Sequence, residues 1–295
     1  MKFNLCTISF RHDLVSFRDL IHYAHEAGFS GIELWAVHAR ALVNYAPDVF
    51  SQLMKEAQML NLTISMISDY LDLMTSDSKY EAQLVKFNQL IHMAHAFGTN
   101  KIRIFAGHKG SSEITSHEWE ICTLRLRELA IRAHANDVLL VIETHPDTLA
   151  DTLESTLALI HDVDHKQLRI NLDYLHLWES GTAPFDAFRA LRSWVEIVHL
   201  KNVTSRERLT VFNSSNVFSP NGSRDGMVSL AEGIIDYKEI MKFSMIDGGS
   251  LSASLEWFGH SPFQVLKQDM DWLKQIHESD MNVNQYLRKE ALLNE

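Results

Sequence analysis

The chain has 295 residues, of which 46% are hydrophobic, so it is long enough to bury one large core. Its formal charge of −11 at pH 7 disfavours a nucleic-acid-binding protein, which needs Lys and Arg to neutralise phosphates. No apolar run reaches the roughly 18 residues of a membrane-spanning helix, and the polar-interrupted N-terminus does not fit a secretory signal peptide.

Short apolar segments alternate with amphipathic segments along the whole chain. The predicted strands lie at residues 3–9, 31–35, 63–68, 101–107, 138–143, 168–173, 195–201 and 250–257. The predicted helices lie at residues 16–28, 46–60, 78–97, 117–136, 149–162, 184–194, 236–246 and 262–277. Eight strand–helix pairs without a composition break predict an α/β fold, a (β/α)8 TIM barrel, as a single domain over residues 1–279. The alternative, an open doubly wound sheet, usually has a glycine-rich first turn, which this sequence lacks.

Two segments do not fit the repeating units. Residues 203–234 carry many turn-forming residues and are too long for an ordinary connection, so we interpret them as a functional loop over the active face. Residues 280–295 are polar with a weak helical pattern and form a C-terminal tail outside the barrel. We favour a frayed tail there over the alternative, an oligomer contact such as one in a homodimer.

The two cysteines indicate the compartment. Cys6 and Cys122 are the only cysteines, and neither lies in a CxxC motif. We therefore expect free thiols in a reducing, cytoplasmic setting.

The segment VLLVIETHP, residues 138–146, is the first that points to chemistry. Its apolar run ends in Glu143, and His145 follows two residues later. Side chains two residues apart in a strand share a face, so both point the same way. A strand that is buried on both sides has no reason to end in Glu and His unless something binds there.

Three further predicted strands also end in metal-ligand residue types. In a barrel the carboxyl ends of the strands meet at one mouth, and these residues fall at equivalent depths on the fifth to eighth strands. The four residues of this set are Glu143, Asp173, His199 and Glu256. Three carboxylates and one imidazole predict a divalent-cation site that suits Mn²⁺, Mg²⁺ or Co²⁺, with Zn²⁺ as an alternative. Helix capping or pairing with a lysine could explain one such residue alone, but it explains four at matched depths poorly.

Other polar residues at the strand ends form a second set. Arg103 is flanked by apolar residues. An arginine in such a position usually binds an anion, for example a substrate carboxylate. The alternative interpretation is a salt bridge between Arg103 and a neighbouring acid such as Glu33. Lys201 shares a strand face with the predicted ligand His199, and Tyr70 enters from the end of the third strand.

One histidine and several aromatic residues extend this set. His176 lies in a predicted turn three residues after Asp173, where a substrate contact and a hydrogen bond to a ligand carboxylate are equally plausible. The aromatic residues near strand ends could wall a planar substrate, although core packing is the safer interpretation for any single one. They are Trp35, Phe105, Trp178, Trp257 and Phe258.

The motifs GIELW, IETHP, NLDYLH, HLKN and SLEWFG, in this order, resemble the xylose-isomerase-like TIM barrels, which include sugar epimerases and inosose dehydratases. Longer segments resemble more closely the 3-dehydroshikimate dehydratases of petrobactin siderophore biosynthesis, and the resemblance covers residues 1–278. The segments are LCTISFRH (5–12), MISDYLD (66–72), ETHPDTLADTLESTL (143–157), INLDYLHLWESG (170–181), GMVSLAEGI (226–234) and SLEWFGH (254–260).

This resemblance implies a lyase that converts 3-dehydroshikimate to protocatechuate (3,4-dihydroxybenzoate) with a divalent metal, for which we expect Mn²⁺. It implies that the metal is held by the four residues named above. It also implies a substrate site lined by the residues Tyr70, Arg103, His145, His176 and Lys201.

A mechanism follows as a hypothesis. Loss of water from this substrate requires removal of the proton at C4, next to the ketone, and we assign this step to the neutral imidazole of His145. Lys201 and His176 are the alternative bases. Lys201 could also steady the enolate oxygen or assist departure of the C5 hydroxyl. Arg103 would hold the substrate carboxylate.

Three rival functions remain open from the sequence. A sugar epimerase would use the same metal set with two carboxylates as bases, and it would have less need for Arg103 because its substrate carries no anion. A DNA-repair endonuclease would need further His and Asp ligands and a basic surface, which the charge disfavours. A non-catalytic sugar-binding barrel is the third.

Overall fold

The computed structural model describes residues 1–45, 47–246 and 251–276 of the chain. Eight parallel strands close into a barrel. They are β1 (Lys2–Cys6), β2 (Gly31–Trp35), β3 (Thr63–Ser68), β4 (Lys101–Ile104), β5 (Leu139–Glu143), β6 (Leu168–Asp173), β7 (Val195–Leu200) and β10 (Ser252–Leu255). The order around the barrel is β1-β10-β7-β6-β5-β4-β3-β2. The predicted (β/α)8 architecture is therefore confirmed.

Helices cover the outside of this barrel. They are α1 (Phe17–Ala27), α2 (Ala36–Tyr45), α3 (Pro47–Met59), α4 (Asp77–Ala96), α5 (Ser116–His134), α6 (Leu153–Val163), α7 (Tyr174–Glu179), α8 (Pro184–Leu191), α9 (Ser214–Val217) and α10 (Tyr237–Ile246). Residues 262–276 form a further helix. Among the described residues, no helix has both the length and the apolar character needed to cross a membrane.

Helix α1 shows how local sequence sets an element. Ser16 and Asp19 form a capping box, in which the Ser16 hydroxyl accepts from the backbone N–H of Asp19 and the Asp19 carboxylate accepts from that of Ser16. Gly28 closes the helix with φ of 85°, a left-handed conformation that costs glycine little. The helix buries Leu20 and Ile21 against the barrel, as their spacing predicts.

Several element boundaries differ from the sequence predictions. Helix α2 was not predicted, because its apolar side chains do not recur with a clear helical period. It lies between β2 and Pro47, the first residue of α3. Strands β4 and β10 are shorter than predicted. Residues 174–179 form helix α7, so His176 lies in a helix and not in the predicted turn. The predicted tail at 280–295 and the domain boundary at residue 279 lie outside the described residues, so these remain predictions.

The long segment 203–234 is folded, although it forms no barrel unit. It contains a 3-10 helix at Arg206–Phe212, the short helix α9 and an antiparallel pair between β8 (Asn202–Val203) and β9 (Met227–Val228). The Asn202 side-chain amide donates to the backbone carbonyls of Leu230 and Ile235, both at 2.9 Å, and so pins this segment to the barrel rim. It covers the mouth at the carboxyl ends of the strands, as predicted.

Candidate metal centre and active site

The four predicted metal ligands converge at the mouth of the barrel. One ligand atom from each of Glu143, Asp173, His199 and Glu256 can be chosen so that all four atoms lie within 4.8 Å of one another. Parallel pairing explains the common depth, because Asp173 is the register partner of His199, and His199 pairs with Ser254, two residues before Glu256. All four side chains are buried. The barrel register therefore assembles a compact oxygen-rich site with one nitrogen.

The orientation of the His199 ring is set by a residue that the sequence did not assign to the site. The Nε2 atom of His199 lies 3.0 Å from the Glu33 carboxylate, to which its N–H donates. Glu33 is fully buried on β2 and also accepts a hydrogen bond from the Ser68 hydroxyl. In the neutral ring, this hydrogen bond places the proton on Nε2 and leaves the lone pair on Nδ1, which points toward the cluster.

The Nδ1 atom itself is suited to a cation. It lies 3.4 Å from Glu143 Oε1 and 3.7 Å from Glu256 Oε1, and it makes no hydrogen bond within the described part of the chain. Burial lowers the pKa of His199, but the carboxylates of Glu33, Glu143 and Glu256 outweigh this effect and raise the pKa well above its usual value. These carboxylates thus favour positive charge at this point, which a divalent cation would supply.

Arg103 forms a buried ion pair with Glu143, one of the predicted metal ligands. Its Nε atom lies 2.9 Å from Glu143 Oε2, so the acid it meets is Glu143 and not Glu33, the partner named as the alternative from sequence. Its Nη1 atom is buried and has no hydrogen-bond partner among the described residues. The guanidinium carbon lies 5.3 Å from the centre of the Tyr70 ring and 5.1 Å from that of Phe105. The free Nη1 donor is available for an anion in the mouth.

Lys201 forms ion pairs with the other two carboxylates of the cluster. Its Nζ atom is 2.7 Å from Asp173 Oδ2 and 2.6 Å from Glu256 Oε2. Burial lowers the pKa of Lys201, but these two carboxylates raise it above its usual value, so the group carries its charge. Burial also raises the pKa of Asp173, to about 6, even with this ammonium beside it.

The charges of the buried set favour a divalent cation. Four carboxylates (Glu33, Glu143, Asp173, Glu256) and two cations (Arg103, Lys201) sum to −2 when His199 is neutral, and all six side chains are buried. Such an imbalance is costly away from water unless it is compensated. The donor set therefore fits one divalent metal ion, with Mn²⁺, Mg²⁺ and Co²⁺ suited by the carboxylate oxygens.

Two histidines stand beside the predicted metal centre. The Nδ1–H of His145 donates to the carbonyl of Pro146 at 2.7 Å, so in the neutral ring the Nε2 atom carries the lone pair. Burial lowers the pKa of His145, which keeps the ring neutral. The ring of His176 is centred 4.3 Å from that of His145. The Nε2 atom of His176 lies 3.9 Å from Asp173 Oδ2, which is too long for the hydrogen bond to a ligand carboxylate that the sequence left open.

A cavity of about 540 Å³ opens onto these groups, and its volume suits a small molecule. All five residues predicted to contact substrate line it, together with two of the metal-ligand carboxylates. These seven residues are Tyr70, Arg103, Glu143, His145, His176, Lys201 and Glu256, and the other polar residues of the lining are Asp72, Gln83, Lys86, His108 and Ser214.

Aromatic rings wall the same cavity. Of the aromatic residues suggested from sequence, Phe105 and Phe258 line it, whereas Trp35 stacks on Phe218 with ring centres 6.0 Å apart. Phe212 and Phe218 come from the segment 203–234 and were missed, because their position over the mouth is set by tertiary folding. Four phenylalanine rings thus wall a cavity that is also lined by His145 and two of the predicted metal ligands.

Comparison with known proteins agrees with this geometry. The sequence pattern of the family described as xylose isomerase-like TIM barrel matches residues 21–276. A 3-dehydroshikimate dehydratase from Bacillus anthracis is 45% identical over 270 residues, which cover 92% of this chain and 95% of that protein.

Solved structures show the same relationship. The crystal structure of the probable 3-DHS dehydratase AsbF involved in petrobactin synthesis, from Bacillus anthracis, superposes with a TM-score of 0.90 at 44% identity. The superposition covers 93% of this chain and 99% of that one. The structure of L-ribulose 3-epimerase, at 19% identity and a TM-score of 0.74, covers 97% of this chain and 98% of the epimerase, and it shares the fold.

Proposed function

The chain belongs to the xylose isomerase-like TIM barrel family, and we propose that within this family it is a 3-dehydroshikimate dehydratase. This enzyme is a lyase that converts 3-dehydroshikimate to protocatechuate and water. One observation carries the proposal: the buried cation site opens onto a cavity with a free arginine donor and a neutral histidine, in a chain similar along nearly its whole length to such an enzyme.

The residues Glu143, Asp173, His199 and Glu256 would hold a divalent metal ion, and we propose Mn²⁺ because three of the four ligands are carboxylates. When bound, such an ion supplies Lewis acidity that favours negative charge on the ketone and hydroxyl oxygens of the substrate. Glu33 sets the orientation of the His199 ring, and the buried side chains of Arg103 and Lys201 set the charge of this site together with its carboxylates.

His145 is the proposed base for the first proton. The C4 hydrogen of the substrate is acidic because it is adjacent to the C3 ketone. Since Nδ1 of His145 donates to the Pro146 carbonyl, Nε2 is the atom that accepts this proton. The C4–H electron pair forms the C4–C5 double bond as the C5 hydroxyl leaves. This hydroxyl needs a proton to depart as water.

Arg103 and Lys201 position the substrate on either side of this base. Nη1 of Arg103 has no partner within the described residues and would bind the substrate carboxylate, which sets the register of the ring. The ammonium of Lys201 lies between two ligand carboxylates and faces the cavity, where it would stabilise charge on the enolate oxygen or protonate the departing hydroxyl. Tyr70 and the phenylalanine rings would hold the flat ring and exclude water.

We further propose that the enzyme is cytoplasmic and that its protocatechuate supplies a catechol for siderophore synthesis. Both cysteines are free and buried, which supports the first proposal. The similarity to a protein described as involved in petrobactin synthesis supports the second.

The direct test is ultraviolet absorbance of the purified protein mixed with 3-dehydroshikimate and Mn²⁺, with EDTA as the control. We expect a protocatechuate spectrum that EDTA abolishes. No product with Mn²⁺, Mg²⁺, Co²⁺ or Zn²⁺ would contradict the proposal and favour the epimerase hypothesis, to be tested next with keto-sugars and inososes.

A further inference from the structure

The proposed reaction requires two carbon–hydrogen bonds to break, at C4 and at C6. After water has left, the ring is a dienone with two hydrogens at C6. Loss of one C6 hydrogen sends its electron pair into the ring and converts the C3 ketone to a phenolate, which takes up a proton. His145 accounts for the first abstraction, so the second calls for a base at another position around the ring.

His176 occupies such a position. The rings of Phe105, His145 and His176 pack in a row with tilted planes, and their centres are 4.4 Å and 4.3 Å apart. All three line both the substrate cavity and an adjoining cavity of about 370 Å³. Glu179 lines the second cavity but not the substrate cavity.

The two histidines are anchored by different acceptors. His145 is held by a backbone carbonyl, whereas Nδ1 of His176 lies 3.1 Å from Oε2 of Glu179. Burial raises the pKa of Glu179 to about 7. Above that pH the ionised carboxylate accepts hydrogen bonds only, so it places the proton of the neutral ring on Nδ1 and leaves the lone pair on Nε2. The Nε2 atom of His176 is buried and lacks a hydrogen-bond partner in the described ranges. Both histidines therefore present an unprotonated Nε2 atom.

Arg206 holds the C-terminal end of helix α7, which carries Glu179, in place. Arg206 donates to the backbone carbonyls of Glu179, at 2.7 Å, and Trp178, at 3.0 Å, and its guanidinium lies 4.2 Å from the centre of the Trp178 ring. Arg206 belongs to the segment over the mouth. The same segment that covers the cavity thus also fixes the backbone from which Glu179 reaches His176.

We propose that Glu179 is a positioning residue that fixes the tautomer and orientation of His176, so that His176 serves as the second base and removes the C6 proton. This inference rests on the proposed dehydratase function. In the step, the C6 proton passes to Nε2 of His176, the C6–H electron pair completes the aromatic ring, and the C3 oxygen takes up a proton. No outside oxidant or reductant is needed.

The test compares three variants of the Mn²⁺-loaded protein. E179M removes the acceptor, E179D retracts the carboxylate by one methylene, and E179Q keeps an acceptor oxygen at the same reach. We expect kcat to fall about 10- to 100-fold in E179M and E179D, with KM little changed, because general-base catalysis contributes about 10²–10⁴-fold. We expect E179Q to stay within about threefold of wild type, since its amide oxygen can accept from Nδ1–H.

Position-specific isotope effects separate this role from a structural one. With substrate deuterated at C6, we expect the isotope effect on kcat to rise in E179D and E179M, and with substrate deuterated at C4 we expect no rise. The matched control is E113M, because Glu113 is an exposed glutamate that lines the same second cavity and should keep wild-type kinetics. Thermal unfolding of each variant shows whether it is folded. If E179M does not fold, the kinetics of E179D still test the role of Glu179.

Two results would overturn the inference while leaving the proposed function intact. One is wild-type kcat in both E179D and E179M. The other is a lowered kcat with an unchanged C6 isotope effect. A wild-type protein that forms no protocatechuate instead overturns the proposed function, and this assignment with it.

Discussion

The Glu33 carboxylate lies 3.0 Å from Nε2 of His199, and the contact crosses the interior of the barrel. The two residues stand on β2 and β7, which are not neighbours in the closed sheet. The contact leaves Nδ1 of His199 directed at the carboxylates of Glu143 and Glu256. A buried acid far away in sequence therefore decides which nitrogen the site offers to a metal ion.

Replacement of this acid should weaken metal binding. We expect E33Q to lower Mn²⁺ affinity about 10- to 100-fold, because the amide oxygen still accepts from Nε2–H but the variant loses the negative charge that raises the basicity of the histidine. Calorimetric titration of the metal-free protein with Mn²⁺ measures this effect. E81Q, at an exposed glutamate on α4, is the control. An E33Q variant with wild-type affinity would show that the charge of Glu33 does not contribute to metal binding.

Metal binding should stabilise the fold, because the buried set carries an excess of negative charge. At 100 times its Kd, a ligand that binds only the folded state adds about 2.7 kcal/mol to the free energy of unfolding. We expect Mn²⁺ to raise the Tm of wild type and EDTA to reverse the rise, with a smaller shift in D173N, which lacks one ligand charge. Differential scanning calorimetry measures these values. A Tm that does not respond to any of the four metals contradicts the predicted site.

His145→Ala should act on chemistry more than on binding. We expect kcat to fall about 10²- to 10⁴-fold, since the variant lacks the Nε2 atom that accepts the C4 proton, while KM changes far less. Steady-state assays of protocatechuate formation give both constants. Turnover like that of wild type would refute the assignment of His145 as the base.

Arg103→Ala should mainly raise KM. A charge-assisted hydrogen bond to the substrate carboxylate contributes about 1.5–3 kcal/mol, so we expect KM to rise about 10- to 100-fold. Because Arg103 also pairs with Glu143, Mn²⁺ affinity is measured in the same variant, and assays are run at saturating metal. An unchanged KM would show that Arg103 does not bind the substrate carboxylate.

A buried acid outside the site should make stability depend on pH. Burial raises the pKa of Asp269 to about 7, and its carboxylate accepts from the N–H of Leu230 at 2.8 Å. In the unfolded chain its pKa is about 3.9, so between these two values the folded state binds more protons than the unfolded state. The Asp269 contribution therefore lowers the free energy of unfolding as pH rises from about 4 to about 7.

The test of this pH dependence is D269N, which keeps an acceptor oxygen without a titrating charge. We expect the decrease in unfolding free energy between pH 4 and pH 7 to be smaller in D269N than in wild type, by urea unfolding at several pH values. Other buried acids titrate in both proteins, so the difference between the two curves isolates Asp269. Parallel curves would contradict the prediction.

The periodicity of the chain was sufficient to predict the barrel and to group the candidate metal ligands. Each strand is buried on both faces and so reads as an apolar run, and parallel register brings the strand ends to one depth. Glu143, Asp173, His199 and Glu256 could thus be grouped from sequence. A second set of polar residues near the strand ends could be grouped in the same way, and the resemblance to known dehydratases implied that this set lines the substrate site. The second set is Tyr70, Arg103, His145, His176 and Lys201. The structure brings all nine to one mouth.

The tertiary structure alone decided which residues pair inside that mouth. Glu33 meets His199 across the barrel, Arg103 meets Glu143 and not Glu33, and Glu179 reaches His176 because residues 174–179 form a helix. These contacts join positions far apart along the chain, or depend on a single helical turn, so no spacing rule reveals them. The sequence determined where each strand ends and which residue types stand there, because an apolar run and its end are local properties of the chain. Pairing among buried charges was decided by the closed barrel, because it depends on distances across its interior.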